Sequence, residues 1–116
     1  MRFLMTYVGK DKNPSPEKLA AIGKFGEEAT RAGILLDTGG ILPISLGAAA
    51  KLENGKFTLI DGPFPETKEM VVGYAIVQVR SREEAIEQAR RFMMIAGDGE
   101  SEIRQLEGPA DGATYG

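Results

Sequence analysis

The sequence predicts one α+β domain in which two β-α-β-like halves build a ferredoxin-like sheet, with two helices on one face and an inserted β-hairpin. Three observations carry this expectation. Two amphipathic stretches each open on a helix-start signal, Ser15-Pro16 and Ser81-Arg82-Glu83-Glu84. Two runs, Arg2 to Val8 and Val71 to Val79, are apolar on both faces, as strands covered on both sides must be. Asn54-Gly55 separates two short strand-like runs.

In chain order, the first strand places Phe3, Met5 and Tyr7 on one face and Leu4 and Val8 on the other. A polar loop from Gly9 to Pro14 follows. Ser15 caps a helix whose first residue is Pro16, where the missing N–H costs nothing. That helix is expected to reach about Ala32, with Gly33 as its C-terminal glycine. Its buried stripe is Leu19, Ile22, Phe25, Ala29 and Ala32. Gly23 and Gly26 lower its intrinsic stability and are read as points of close approach to the sheet.

Ile34 to Asp37 is the second strand, ending at a glycine-rich bend, Gly39-Gly40. Ala48 to Leu52 and Phe57 to Ile60 are the arms of a hairpin, because both residues of an Asn-Gly turn accept positive φ. Val71 to Val79 is the longest strand. In the capping box that follows, the Ser81 hydroxyl takes the N–H of Glu84 and the Glu84 carboxylate reaches back. The second helix runs to about Ala96 and buries Ala85, Ile86, Ala89, Phe92, Met93 and Ala96. Gly97-Asp98-Gly99 ends it, and Ser101 to Glu107 forms an edge strand. Residues 1–107 are the domain and 108–116 a loose tail. Helices on one side leave the other sheet face bare although it is apolar. A second copy, sheet against sheet, is its simplest cover, so a homodimer is expected.

Composition narrows the chemistry. The 116 residues carry 14 basic and 17 acidic side chains, a formal charge of −3. A mildly acidic domain without a basic stripe does not suit a phosphate backbone, so no nucleic-acid partner is expected. The N-terminal apolar run meets Lys10, Asp11 and Lys12 too early for a signal peptide. Met70 to Val79 is about half the roughly 20 residues of a spanning helix. These features point to a cytoplasmic protein with no membrane partner. The chain has no cysteine and no histidine. That removes disulfides, thiolate nucleophiles, Ser-His-Asp arrangements and the usual transition-metal ligands. No metal and no cofactor is expected, and catalysis would rest on Asp, Glu, Lys, Tyr or Arg.

One stretch is not accounted for by strands and helices: Asp61-Gly62-Pro63-Phe64-Pro65-Glu66-Thr67-Lys68-Glu69. With Gly73-Tyr74, Ser81-Arg82-Glu83-Glu84-Ala85, Asn54-Gly55, Leu42-Pro43 and Ser15-Pro16-Glu17, it resembles the DGPF signature and surrounding pattern of the YCII-related protein family. The likeness spans residues 1–107 in the same element order. The resemblance implies a dimeric α+β barrel. It also implies relatives that look like hydrolases or dehalogenase-type lyases using a His–Asp pair, and a branch often encoded beside sigma factors. Without a histidine that pair cannot carry over, and Asp61 is the aspartate that would remain.

Asp61 has two readings: an acid/base or ligand contact at the end of its strand, or a carboxylate bonded to the N–H groups of the following turn. The stiff loop around Pro63 and Phe64 either caps the core or reads a ligand. Glu66, Lys68 and Glu69 are a solvated charge run or the polar edge of a pocket. Tyr7 and Tyr74 pack in the core or interface, or offer a phenol to a cleft. The candidate site is therefore Asp61 as the catalytic residue, with Tyr7, Pro63, Phe64, Lys68 and Glu69 binding ligand. It is expected as a metal-independent pocket between sheet and helices, bordered by the Asp61 to Glu69 loop.

The leading expectation is a small-molecule-binding protein with little or no catalysis. The alternative is a metal-free lyase, isomerase or hydrolase using Asp61 as acid/base. The third is an interaction module linked to a transcription regulator.

Overall fold

The computed structural model of the chain describes residues 1–64 and 71–108. At its centre lies β1 (Arg2–Gly9), paired antiparallel with β5 (Val71–Gln78) from Arg2↔Gln78 to Gly9↔Val71. On its other edge β1 pairs with β6 (Gly99–Glu100) and β7 (Ile103–Leu106), and β2 (Leu35–Gly40) pairs with β5. The order β2-β5-β1-β7, all antiparallel, is the predicted ferredoxin-like sheet.

Period-2 alternation explains why the apolar strands have two different faces. Phe3 and Met5 on β1 lie opposite Val77 and Ala75 on β5. Phe3, Met5, Val77 and Val79, with two alanines of α2 (Arg82–Ala96), Ala85 and Ala89, build the core. The alanines matter because a helix without bulk on its inner face lies close to the sheet. The alternate residues Leu4, Val8, Val72 and Ile76 are half-buried on the far face.

Both helices start as their caps dictate. In α1 (Pro16–Arg31) the Ser15 hydroxyl accepts from the Lys18 N–H at 3.1 Å. In α2 the Ser81 hydroxyl accepts from the Glu84 N–H at 3.1 Å, while the Glu84 carboxylate takes the Arg80 N–H at 2.7 Å. The carboxylate thus reaches back one residue further than the simplest box.

Several expectations are corrected. Of the stripe assigned to α1, only Ala29 is buried; Ala32 is exposed, Leu19 is 55% exposed, and Ile22 and Phe25 are half-buried. In α2, Ile86 is exposed and Phe92 and Met93 are half-buried. The apolar side of α1 therefore faces a space rather than a sealed core. Gly39 and Gly40 are not a bend but part of β2, which carries an irregularity between Leu35 and Asp37. Gly39 belongs there because a Cβ would come within 3.1 Å of the Tyr74 ring.

The hairpin forms as predicted, with β3 (Ala49–Glu53) and β4 (Lys56–Ile60) joined through Asn54 at φ 50° and Gly55 at φ 79°. It is a separate two-stranded sheet. Its register puts Ala50, Leu52, Phe57 and Leu59 on one face. Leu52, Phe57 and Leu59 are each at least 60% exposed. A short 3₁₀ turn, Ile44–Leu46, leads into it. Among the described residues, no helix is long and apolar enough to cross a membrane.

Candidate functional site

Between the helices and the inner sheet face lies a cavity of 680 Å³. Met5, Leu35 and Val77 form its floor, and Ile22, Phe25 and Phe92 form its roof. Its existence follows from small residues on α1. A Cβ at Gly23 would meet nothing within 4 Å, and one at Gly26 would meet only the Leu35 Cδ2 at 3.9 Å. The two glycines do not draw the helix onto the sheet, as expected from sequence; they leave volume unfilled.

Polar groups gather where β1 ends. The Tyr7 ring sits over Gly9, packs edge-on against Phe92 with centroids 5.2 Å apart, and lies where a Cβ on Gly99 would come within 2.9 Å. Both glycines are needed for that seat. The Tyr7 hydroxyl donates to the Gly97 carbonyl at 2.7 Å, and burial pushes its phenol pKa up. Beside it the Lys18 ammonium bonds the Asp11 carboxylate at 2.8 Å and the Ala96 carbonyl at 3.1 Å. The second bond ties the first turn of α1 to the C-terminal end of α2, where the helix dipole favours a cation. The Lys18 bond and the Asn13 N–H hold the Asp11 carboxyl below its usual range.

Further along, Thr30 and Thr38 donate their hydroxyl hydrogens to the carbonyls of Gly26 and Tyr74, each at 2.8 Å. Gln88 of α2 also lines the cavity and is half-buried, and its side-chain amide has no hydrogen-bond partner among the described residues.

Of the residues singled out from sequence, Tyr7 and Tyr74 are among those lining this cavity. Asp61 and Pro63 are exposed beyond the end of β4, Phe64 is half-buried, and none of the three is among the residues lining the cavity. The Gly62–Pro63 peptide bond is cis. The turn bonds considered for the Asp61 carboxylate are not made among the described residues. Lys68 and Glu69, with Glu66, lie outside the described residues. Asp11, Lys18 and Gln88 were not singled out. Asp11 lies in the polar loop after β1 and Lys18 lies outside the apolar stripe of α1, and only the folded chain brings them to Tyr7. Gln88 had one signal, a neutral amide on the inner side of a helix between Ala85 and Ala89.

A second polar pair lies on the outer sheet face, where the Tyr74 hydroxyl donates to the Asp37 carboxylate at 2.9 Å. That bond, foremost, raises the Tyr74 pKa. Among the described residues no group of three or more acidic side chains is arranged to hold a metal ion.

Comparison with known proteins relates the chain to a family and to a relative. A family model described as YCII-related domain matches residues 1–107. The chain is 34% identical over 100 residues to an uncharacterised protein of Rhizobium meliloti (strain 1021), covering 85% of this chain and 73% of that protein.

Proposed function

The chain belongs to the YCII-related domain family, and from that premise we propose that it is a small-molecule-binding protein whose ligand occupies the cavity between the sheet and the helices. The cavity itself carries this reading. Its 680 Å³ lies in the range of small-molecule sites, which combine apolar walls with a few placed polar groups. Tyr7 acts as a ligand contact, while Lys18 and Asp11 hold the polar end in place. Their atoms are already committed to one another and to backbone carbonyls, an arrangement that suits binding better than proton transfer.

We further propose that the protein is a homodimer joined through the outer sheet face. Leu4, Val8, Val72 and Ile76 form an apolar surface there that no element of the chain covers among the described residues. The exposed apolar side of the hairpin adds to the surface that a second copy would remove from water.

Filling the cavity tests the binding reading. Gly26→Leu places a side chain where Gly26 leaves space, and leucine favours a helix over glycine by about 0.8 kcal/mol. The variant is expected to fold with an unchanged or raised melting temperature and to lose the thermal shift produced by apolar small molecules in the wild type. A wild type that no such molecule stabilises, or a variant that responds equally, would defeat the proposal.

A further inference from the structure

The binding reading leaves open what kind of molecule enters, and the charge balance of the cavity bears on that. Four charged side chains line it: Asp11, Lys12, Lys18 and Glu27. Lys18 is met by Asp11 at 2.8 Å, and Glu27 is met by Arg31 at 2.7 Å. Lys12 is engaged as well. Two lining side chains are positive and two negative, so the described lining carries no net charge. An incoming carboxylate would have to leave water, compete with Asp11 for Lys18, and lie beside the Asp11 charge. An incoming ammonium would meet Lys18 in the same way. Neither would recover its hydration within apolar walls, since a charge taken from water needs an unmatched partner to receive it.

The hydrogen-bonding groups tell a complementary story. Tyr7, Thr30 and Thr38 have already donated their hydroxyl hydrogens to backbone carbonyls. The half-buried Gln88 side chain lines this cavity and a smaller cleft beside Phe25 and Arg91, and its amide has both donors and its acceptor unassigned among the described residues. A neutral amide can donate to a carbonyl or exchange hydrogen bonds with a hydroxyl, and it brings no charge to offset that of an ion.

We infer that the cavity selects an uncharged, largely apolar molecule bearing a hydroxyl or carbonyl group, and that Gln88 is the residue that binds this group. The inference rests on the cavity being the binding site. The depressed Asp11 pKa and raised Tyr7 pKa are consistent with it, since both keep the cavity's own charges as drawn at neutral pH.

Three probes with one carbon skeleton separate the possibilities: octan-1-ol, octanoate and octylammonium, titrated at neutral pH by calorimetry or ligand-observed NMR. The alcohol is expected to bind the wild type about tenfold or more tightly than either ion. Gln88→Met, which keeps the length of the side chain and removes its amide, is expected to weaken the alcohol by about threefold to tenfold, the worth of one hydrogen bond. Either ion binding as tightly as the alcohol, with that binding lost in Gly26→Leu, would overturn the inference while the cavity reading stands. Unchanged alcohol affinity in Gln88→Met would remove Gln88 from it. Failure of all three probes to bind would overturn the inference together with the reading beneath it.

Discussion

Single residues in this fold show their environment most clearly through the two tyrosines of the sheet. Tyr7 is held by packing, over Gly9 and against Phe92, and its raised pKa comes first from burial. Tyr74 is half-buried, and its shift comes first from the Asp37 carboxylate that accepts its hydrogen bond. A phenol whose folded pKa is raised keeps its proton where the unfolded chain has lost it. Its contribution to stability is therefore complete below the ordinary value of 10.0 and is lost as pH rises through the folded pKa. Asp37→Asn removes the charge while leaving an acceptor. In a titration followed by phenolate absorbance, the Tyr74 midpoint is expected to move down towards 10.0 in this variant. Coincident titration curves for wild type and variant would show that the pair does not form in solution.

Among the elements, the helices owe their boundaries to local chemistry and their packing to the sheet. The Ser81 hydroxyl satisfies the Glu84 N–H, a donor that α2 itself cannot pair. Ser81→Ala is expected to lower stability by about 1 kcal/mol in denaturant unfolding, the usual worth of an N-cap. A loss below a few tenths of a kcal/mol would mean that water satisfies the Glu84 N–H as well as the serine does. These caps were legible in the sequence because an N-cap uses residues three apart in the chain. The packing of α1 was less legible. Leu19, Ile22 and Phe25 carry the right period for a buried stripe, but periodicity gives the direction of a face and not what lies opposite it. The Gly23 and Gly26 positions leave that opposite volume open.

At the scale of the whole molecule, the unresolved balance is apolar surface. The helices cover one face of the sheet, and the proposed partner covers the other. Light scattering during gel filtration is expected to report twice the 12.5 kDa mass of the chain at micromolar concentration. Ile76→Lys places a charge in the middle of that outer face, opposite Leu4, and is expected to give the monomer mass with the helical signal retained. A wild-type protein that scatters as a monomer would defeat the dimer. The same variant separates the two proposals, because Ile76 is not among the residues lining the cavity and ligand binding there does not need this position.

The sequence alone determined the element order, the helix caps, the Asn54-Gly55 turn, the two-faced character of β1 and β5, and the family. These are properties of neighbouring residues or of short periods, where the interacting groups are close along the chain. Tertiary structure decided where the polar end of the cavity is built. Lys18 and Ala96 are 78 residues apart, Tyr7 and Gly97 are 90 apart, and no local pattern pairs them. It also decided that the Asp61, Pro63 and Phe64 segment, conspicuous as a motif, does not line that cavity among the described residues. A cavity is the space that packing leaves unfilled, and its position depends on how whole elements meet.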